Sequence, residues 1–238
     1  MSQKEVLNMA VLNNSSQLLE ERQYLREGET EISERAFNLI IGGVLLWGFL
    51  LNYLMVTLFG VQINRMVSDM GVAPFLIGYF VLVIAGSVMI GKGGAGLSFL
   101  GYNLIALPIG VVVCGCVDGI PAGVVQTAVL VTAIVTLSFM ILATLFPDFF
   151  LGLGRVLFVG LAVSLAAELV TVLIFRRYAS IYEWIFVAIF SLYIGYDWAR
   201  ANTCARTVDN AIDLAASLYL DIINLFLRIL EIMSKRKD

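Results

Sequence analysis

The chain has 238 residues, of which 60% are apolar and only 14% charged, with a mean hydropathy of +0.93. Its 15 Lys and Arg against 18 Asp and Glu leave a net charge of −3, too little charge to cover a water-soluble body of this size and no basic footprint for nucleic acid. Histidine is absent, which excludes His-held haem, His-bound zinc and Ser-His-Asp chemistry.

Residues 1–36 are polar and charged, as in EERQYLREGETEISER. They contain no apolar run of signal-peptide length. They are expected to form a solvated, amphipathic cytoplasmic tail. From Phe37 onward apolar segments follow one another with short breaks. A membrane helix needs roughly 20 apolar residues to cross a core of about 30 Å. Spans are predicted at about 37–60, 74–91, 96–116, 122–146, 154–175, 181–200 and 209–232.

The breaks carry turn chemistry. Gln62 to Asp69 is polar and is closed by Gly71 and Pro74. Gly91, Gly93, Gly94 and Gly96 surround Lys92. Asp118, Gly119 and Pro121 form the next turn, and Pro147, Asp148, Gly152 and Gly154 another. Arg176 and Arg177 end the fifth span, and Arg200 to Arg206 form the last loop. Strand alternation is absent, and spanning backbone must satisfy its own hydrogen bonds, so the segments read as helices. The expectation is an all-α, polytopic membrane bundle over residues 37–238 with seven transmembrane helices. Glycines within the spans, such as Gly42, Gly43 and Gly48, read as sites of close helix approach. Cys114, Cys116 and Cys204 read as buried small hydrophobes.

Lys and Arg divide eight to seven between the two sides of a seven-span topology with the N-terminus inside. The positive-inside rule therefore sets no orientation. A re-entrant last segment would make the division twelve to three.

Ionisable groups within lipid are costly and are functional candidates. Glu168, Asp197, Asp213 and Asp221 lie deep in predicted spans. Glu183, Arg155 and Arg228 lie near predicted ends and are expected to snorkel. Asp197 and Asp221 are centred on Asp209, near the last loop. Antiparallel helices joined there would bring both carboxyls to one depth. Two carboxylates close together in low dielectric cannot both ionise cheaply and titrate as a unit. Such a pair is a proton-controlled latch; the alternative is two aspartates bonding separately to their own neighbours. Glu168 can line a cavity or, while protonated, hydrogen-bond a neighbouring helix. Asp213 shares roughly one helical face with Asp221 and either extends an acidic path or sits in an ordinary first turn. Asn52, Asn103 and Asn224 read as interhelical glue.

FSLYIGYDWAR at 190–200, followed by SLYLDIINLFLRIL at 217–230, closely resembles the transmembrane Bax inhibitor motif family in its bacterial form. FLGYNLIALPIG at 99–110 and GRVLFVGL at 154–161 are compatible with it. The resemblance covers about residues 37–233. It implies seven helices with the last one central, wrapped by the other six. It further implies a pH-sensitive calcium leak channel whose two sensing aspartates match Asp197 and Asp221, these also being the transient calcium ligands. Family members often carry an arginine late in the second helix that engages the sensor. Here that region reads SVMIGKGGAG, and Lys92 is the nearby cation, which lacks a planar bidentate fork. Calcium would use Asp197 and Asp221, with Glu168 or carbonyls completing its oxygen shell. No cofactor is implied beyond calcium as permeant ion.

Two other functions compete. Intramembrane aspartyl proteases place an aspartate after a tyrosine, as in GYD at 195–197. Their second motif is Gly-x-Gly-Asp with a following Pro-Ala-Leu, whereas Asp221 follows Tyr219-Leu220 and that element is missing. The expectation is therefore a non-enzyme. The third reading is a membrane interaction protein resembling a cell-death suppressor, docking other membrane proteins through residues 1–36. The expected surroundings are the lipid bilayer, calcium ions and protons. The bacterial-type match, and the lack of a retention signal in KRKD, imply a bacterial inner (plasma) membrane.

Overall fold

The computed structural model describes residues 29–92, 94–173 and 181–235. Most of the N-terminal tail and the Arg176–Arg177 boundary lie outside the described residues. Among those described, the chain forms eight helices and no strand: α1 (Glu34–Met70), α2 (Val72–Gly91), α3 (Ala95–Val117), α4 (Ala122–Leu145), the short α5 (Pro147–Gly152), α6 (Gly154–Leu173), α7 (Ile181–Ala201) and α8 (Val208–Lys235).

Helix boundaries follow local chemistry. Ser33 caps α1, its Oγ accepting from the Ala36 amide at 3.3 Å, with Glu34 in the first turn; both arrangements favour a helix N-terminus. Thr207 caps α8 in the same way, accepting from the Asn210 amide at 3.2 Å. Gly71, at φ 87°, ends α1. The polar stretch from Gln62 to Asp69, expected as a break, continues α1 instead. It contains no Gly or Pro, and polar side chains alone do not stop a helix.

Among the described residues, five helices are long and apolar enough to cross a membrane: α1, α2, α3, α4 and α6. Helices α7 and α8 have the length, about 31 and 42 Å at 1.5 Å per residue, but carry more charge. Their surroundings explain this. On α8, residues from Asp209 to Leu230 are buried on nearly every side, and the helix packs against α1, α3, α4 and α7. Helices α2 and α6, by contrast, present most of their apolar residues outward. The charged helix is inside and the apolar ones face lipid, an inversion of a soluble fold that a hydrocarbon solvent requires.

The core centres on two fully buried tyrosines. Tyr102 donates to the Val44 carbonyl at 2.9 Å, and Tyr219 accepts from Asn52 Nδ2 at 2.7 Å. Their rings meet edge to face at 5.4 Å, a favoured aromatic geometry. Glycines set several close contacts, three of which shape the core and the surroundings of Asp197. A Cβ on Gly86 would fall 2.6 Å from the Gly101 carbonyl, and one on Gly101 2.6 Å from the Gly86 carbonyl, so α2 and α3 touch backbone to backbone. Gly48 leaves room for the Tyr102 hydroxyl. Gly195, two residues before Asp197, leaves a notch that the Phe150 ring of α5 fills. Gly42 and Gly43 have open space beside them and make no such approach, a correction to the sequence expectation.

Candidate functional site

Helices α7 and α8 bring Asp197 and Asp221 together. Both are buried, and the Asp197 carboxyl lies within hydrogen-bonding reach of Asp221. The route to this pairing differs from the sequence argument. The connection is 202–207, so Asp209 sits in the first turn of α8 rather than in the loop. The connection carries the chain past the end of α7 before α8 returns, which shifts the two helices against each other.

The cation on the pair is Arg200, one turn beyond Asp197 on α7. Its Nη1 donates to Asp197 Oδ1 at 3.2 Å, and its charge also acts on Asp221. Lys92, expected as the partner, is exposed at the C-terminal end of α2. A residue three positions along the same helix is an ordinary neighbour. Arg200 was legible in YDWAR but was read as part of the loop. Tyr193, one turn before Asp197, stands close enough to feel the charge of both aspartates. Asp221 Oδ2 is buried and accepts no hydrogen bond, so one oxygen of the pair is available to a proton or a cation.

Asp213 is buried two turns before Asp221, about 12 Å along α8. It is therefore past the first turn, which Asp209 occupies. Asp209 accepts from Ser98 Oγ of α3 at 2.6 Å. The residues Asp209, Asp213, Ser217, Asp221, Asn224, Arg228, Glu231 and Lys235 recur every three or four positions and so form one polar stripe along α8. The apolar residues beside it, such as Leu214, Leu218 and Leu225, are fully enclosed, whereas Ser217, Asn224 and Arg228 are partly open. The stripe runs from the buried Asp209, Asp213 and Asp221 to a cavity that Asn224, Arg228, Glu231 and Ser234 line.

At the other end of the stripe, Arg228 does not snorkel. Its Nη1 and Nη2 donate to the two oxygens of Glu168 at 2.9 and 3.2 Å, and Nη1 also meets Glu183 Oε2 at 3.3 Å. The guanidinium lies 4.0 Å above the centre of the Phe186 ring. Glu183, expected near an end and in contact with water, is fully enclosed. Glu168 lines a cavity of about 460 Å³ and also binds Arg228 of α8, as an acceptor from the guanidinium and not as the protonated donor of the second alternative. Asn52 of α1 joins α8, and Asn103 of α3 accepts from Trp47 Nε1 of α1 at 3.0 Å; both are interhelical. Asn224 instead donates to the Leu220 carbonyl of its own helix at 2.8 Å. Of the cysteines only Cys114 is buried; Cys116 is exposed, Cys204 half-buried, and none forms a disulfide.

Comparison with known families decides the lineage. The family model described as "Inhibitor of apoptosis-promoting Bax1" matches residues 30–238. The chain belongs to the Bax inhibitor family. It is also similar to proteins from two strains of Helicobacter pylori, 33% identical over 88 residues. That alignment takes in 37% of this chain and 37% of each relative. The match to the Bax inhibitor family covers every described helix, including the aspartate pair and the Arg228 cluster.

Proposed function

We propose that this Bax inhibitor family member is a pH-sensitive leak pathway for cations, calcium above all, in a bacterial inner membrane. In this reading α7 and α8 also cross the bilayer, α8 enclosed by the helices around it. The ion moves along the polar stripe of α8, and the Asp197–Asp221 pair closes the way when it shares a proton. The single observation that carries the reading is two buried carboxyls facing each other across two helices, with one oxygen unsatisfied. A shared proton satisfies that oxygen and draws α7 to α8. Loss of the proton leaves two like charges in contact, which separates the helices or admits a cation. Arg200 offsets one of the two charges, so the deprotonated pair is tolerated. Calcium prefers several oxygen ligands, and the stripe offers carboxylate, amide and hydroxyl oxygens in sequence. The Helicobacter relatives support the bacterial setting.

A proteolytic role fits less well. Aspartyl catalysis needs both carboxyls free to share one proton around a water. Here Asp197 is committed to a guanidinium.

The test is calcium flux into liposomes carrying the full chain, measured from acid to neutral pH. Flux is expected to rise as the pair deprotonates. The Asp197→Asn, Asp221→Asn double variant, which keeps the hydrogen bonding but cannot titrate, is expected to lose the pH response. A pH response retained in the folded double variant removes the pair from the sensor role.

A further inference from the structure

We propose that Asn52 is the positioning residue of the aspartate pair: from α1 it holds Tyr219 and so fixes the rotation of α8 that presents Asp221 to Asp197. This rests on the gating proposed above and names what braces that gate in its closed form.

Tyr219 and Asp221 are two residues apart on α8, about 200° around the helix, so they leave it on nearly opposite sides. Asp221 meets Asp197 of α7. Tyr219 meets α1, where its hydroxyl accepts from Asn52 Nδ2 at 2.7 Å. The Tyr219 ring sits between Phe49 of α1, at 5.6 Å, and Tyr102 of α3, at 5.4 Å. Gly48, one turn before Asn52, leaves it space, since a Cβ there would fall 2.9 Å from Tyr219 Cε2. The central helix is thus gripped from behind by α1 and in front by the carboxyl pair.

Asn52 is itself held in place. Its Oδ1 is buried and accepts no hydrogen bond. It faces Gly110 of α3, where a Cβ would fall 2.8 Å away. A buried amide with one side unsatisfied costs stability, and an apolar side chain of the same size would serve packing alone. Among the described residues the one side-chain bond of Asn52 goes to Tyr219. What that bond adds is direction: packed rings tolerate sliding, whereas a short hydrogen bond does not. Turning α8 to withdraw Asp221 swings the Tyr219 hydroxyl off Asn52, so the bond and the carboxyl contact are lost together. The charged and titratable groups beside the pair are Arg200 and Tyr193, both on α7. Helices α3 and α4 carry no charged residue, and α1 carries none between Ala36 and Asn64. Asn52 therefore acts on the pair through position and not through charge.

The experiment follows the full chain in liposomes by two readouts against pH: calcium flux, and the infrared band of protonated carboxyl that the Asp197→Asn, Asp221→Asn variant lacks. Asn52→Leu and Tyr219→Phe each weaken the closed form, so its proton leaves more readily. Both midpoints are expected to move to lower pH by about half to one unit, the worth of one hydrogen bond. The double variant is expected to move no further than the larger single, because the two residues act through one bond. Tyr102→Phe is the control: it loses a buried bond between α3 and α1 that does not involve α8, and is expected to lower thermal stability with the midpoints in place. Unmoved midpoints in folded Tyr219→Phe, additive shifts in the double variant, or an equal shift in Tyr102→Phe overturn the proposal. Should Asn52→Leu fail to fold, Tyr219→Phe keeps the ring and decides the matter against the same control. A band that shifts as expected in a chain without calcium flux removes the leak reading and keeps the positioning role. A pH-dependent flux whose midpoint neither variant moves removes the positioning role alone.

Discussion

At the scale of single residues, neighbours and not residue type decide what a glycine or a charge does. Gly101 and Gly42 are both glycines within membrane helices. One meets a carbonyl of the next helix, and the other meets nothing. Gly101→Val is expected to force α2 from α3 and lower the thermal stability of the purified chain, by about 1–3 kcal/mol as in overpacked cores. Gly42→Ala is expected to leave stability unchanged or raise it by a few tenths of a kcal/mol through helix propensity. Melting of the two variants side by side tests both. The same contrast governs the charges. Glu183 and Arg228 stand near the ends of their helices in sequence, where a long side chain ordinarily reaches water, and the structure instead encloses them against each other. Position along a helix was readable from sequence. Which way the helix turns its face was not, because that depends on partners distant in the chain.

At the scale of helices, α1 to α4 and α6 were legible because each is an apolar run bounded by Gly, Pro or charge. Two details were not. The polar end of α1 stayed helical because nothing in it breaks a helix. The Pro147–Gly152 turn closed into α5 because Pro147 stands in its first turn, where a missing amide hydrogen costs nothing. The aspartate pair was also legible, although the equal-spacing argument placed the hairpin turn at Asp209. Its cation was not, since Arg200 was read as part of the loop. Because Arg200 and Asp197 share α7, their bond does not itself tie two helices together; it offsets charge at the pair. Arg200→Gln is expected to leave the bundle folded but to reduce calcium flux several-fold at neutral pH, since the open state then holds two uncompensated carboxylates. Flux equal to that of the unaltered chain at every pH would show that the offset is unimportant.

At the scale of the whole molecule, the composition that excluded a soluble protein also hid the inside-out arrangement. Hydropathy identifies lipid-facing helices well and undervalues the one they surround, which is why α8 carries a polar stripe that a search for apolar runs passes over. The stripe yields a test independent of any ionisable group. Ser217→Leu with Asn224→Leu replaces two neutral polar steps by apolar ones and leaves every carboxylate in place. Calcium flux is expected to fall at least tenfold with thermal stability unchanged or higher. Flux at the original level in that variant would move the path away from α8.

The notch at Gly195 has a mechanical consequence. Phe150 of α5 sits in it, and because residues two apart on a helix lie on nearly opposite faces, the ring backs the side of α7 turned away from the Asp197 carboxyl. Moving α7 away from α8 must press it further onto the ring or carry α5 along. On the proposed gating, the stiffness of the closure is thus set partly by a six-residue helix between two lipid-facing ones. Lateral pressure on those outer helices can reach the central acids through a single aromatic hinge pin.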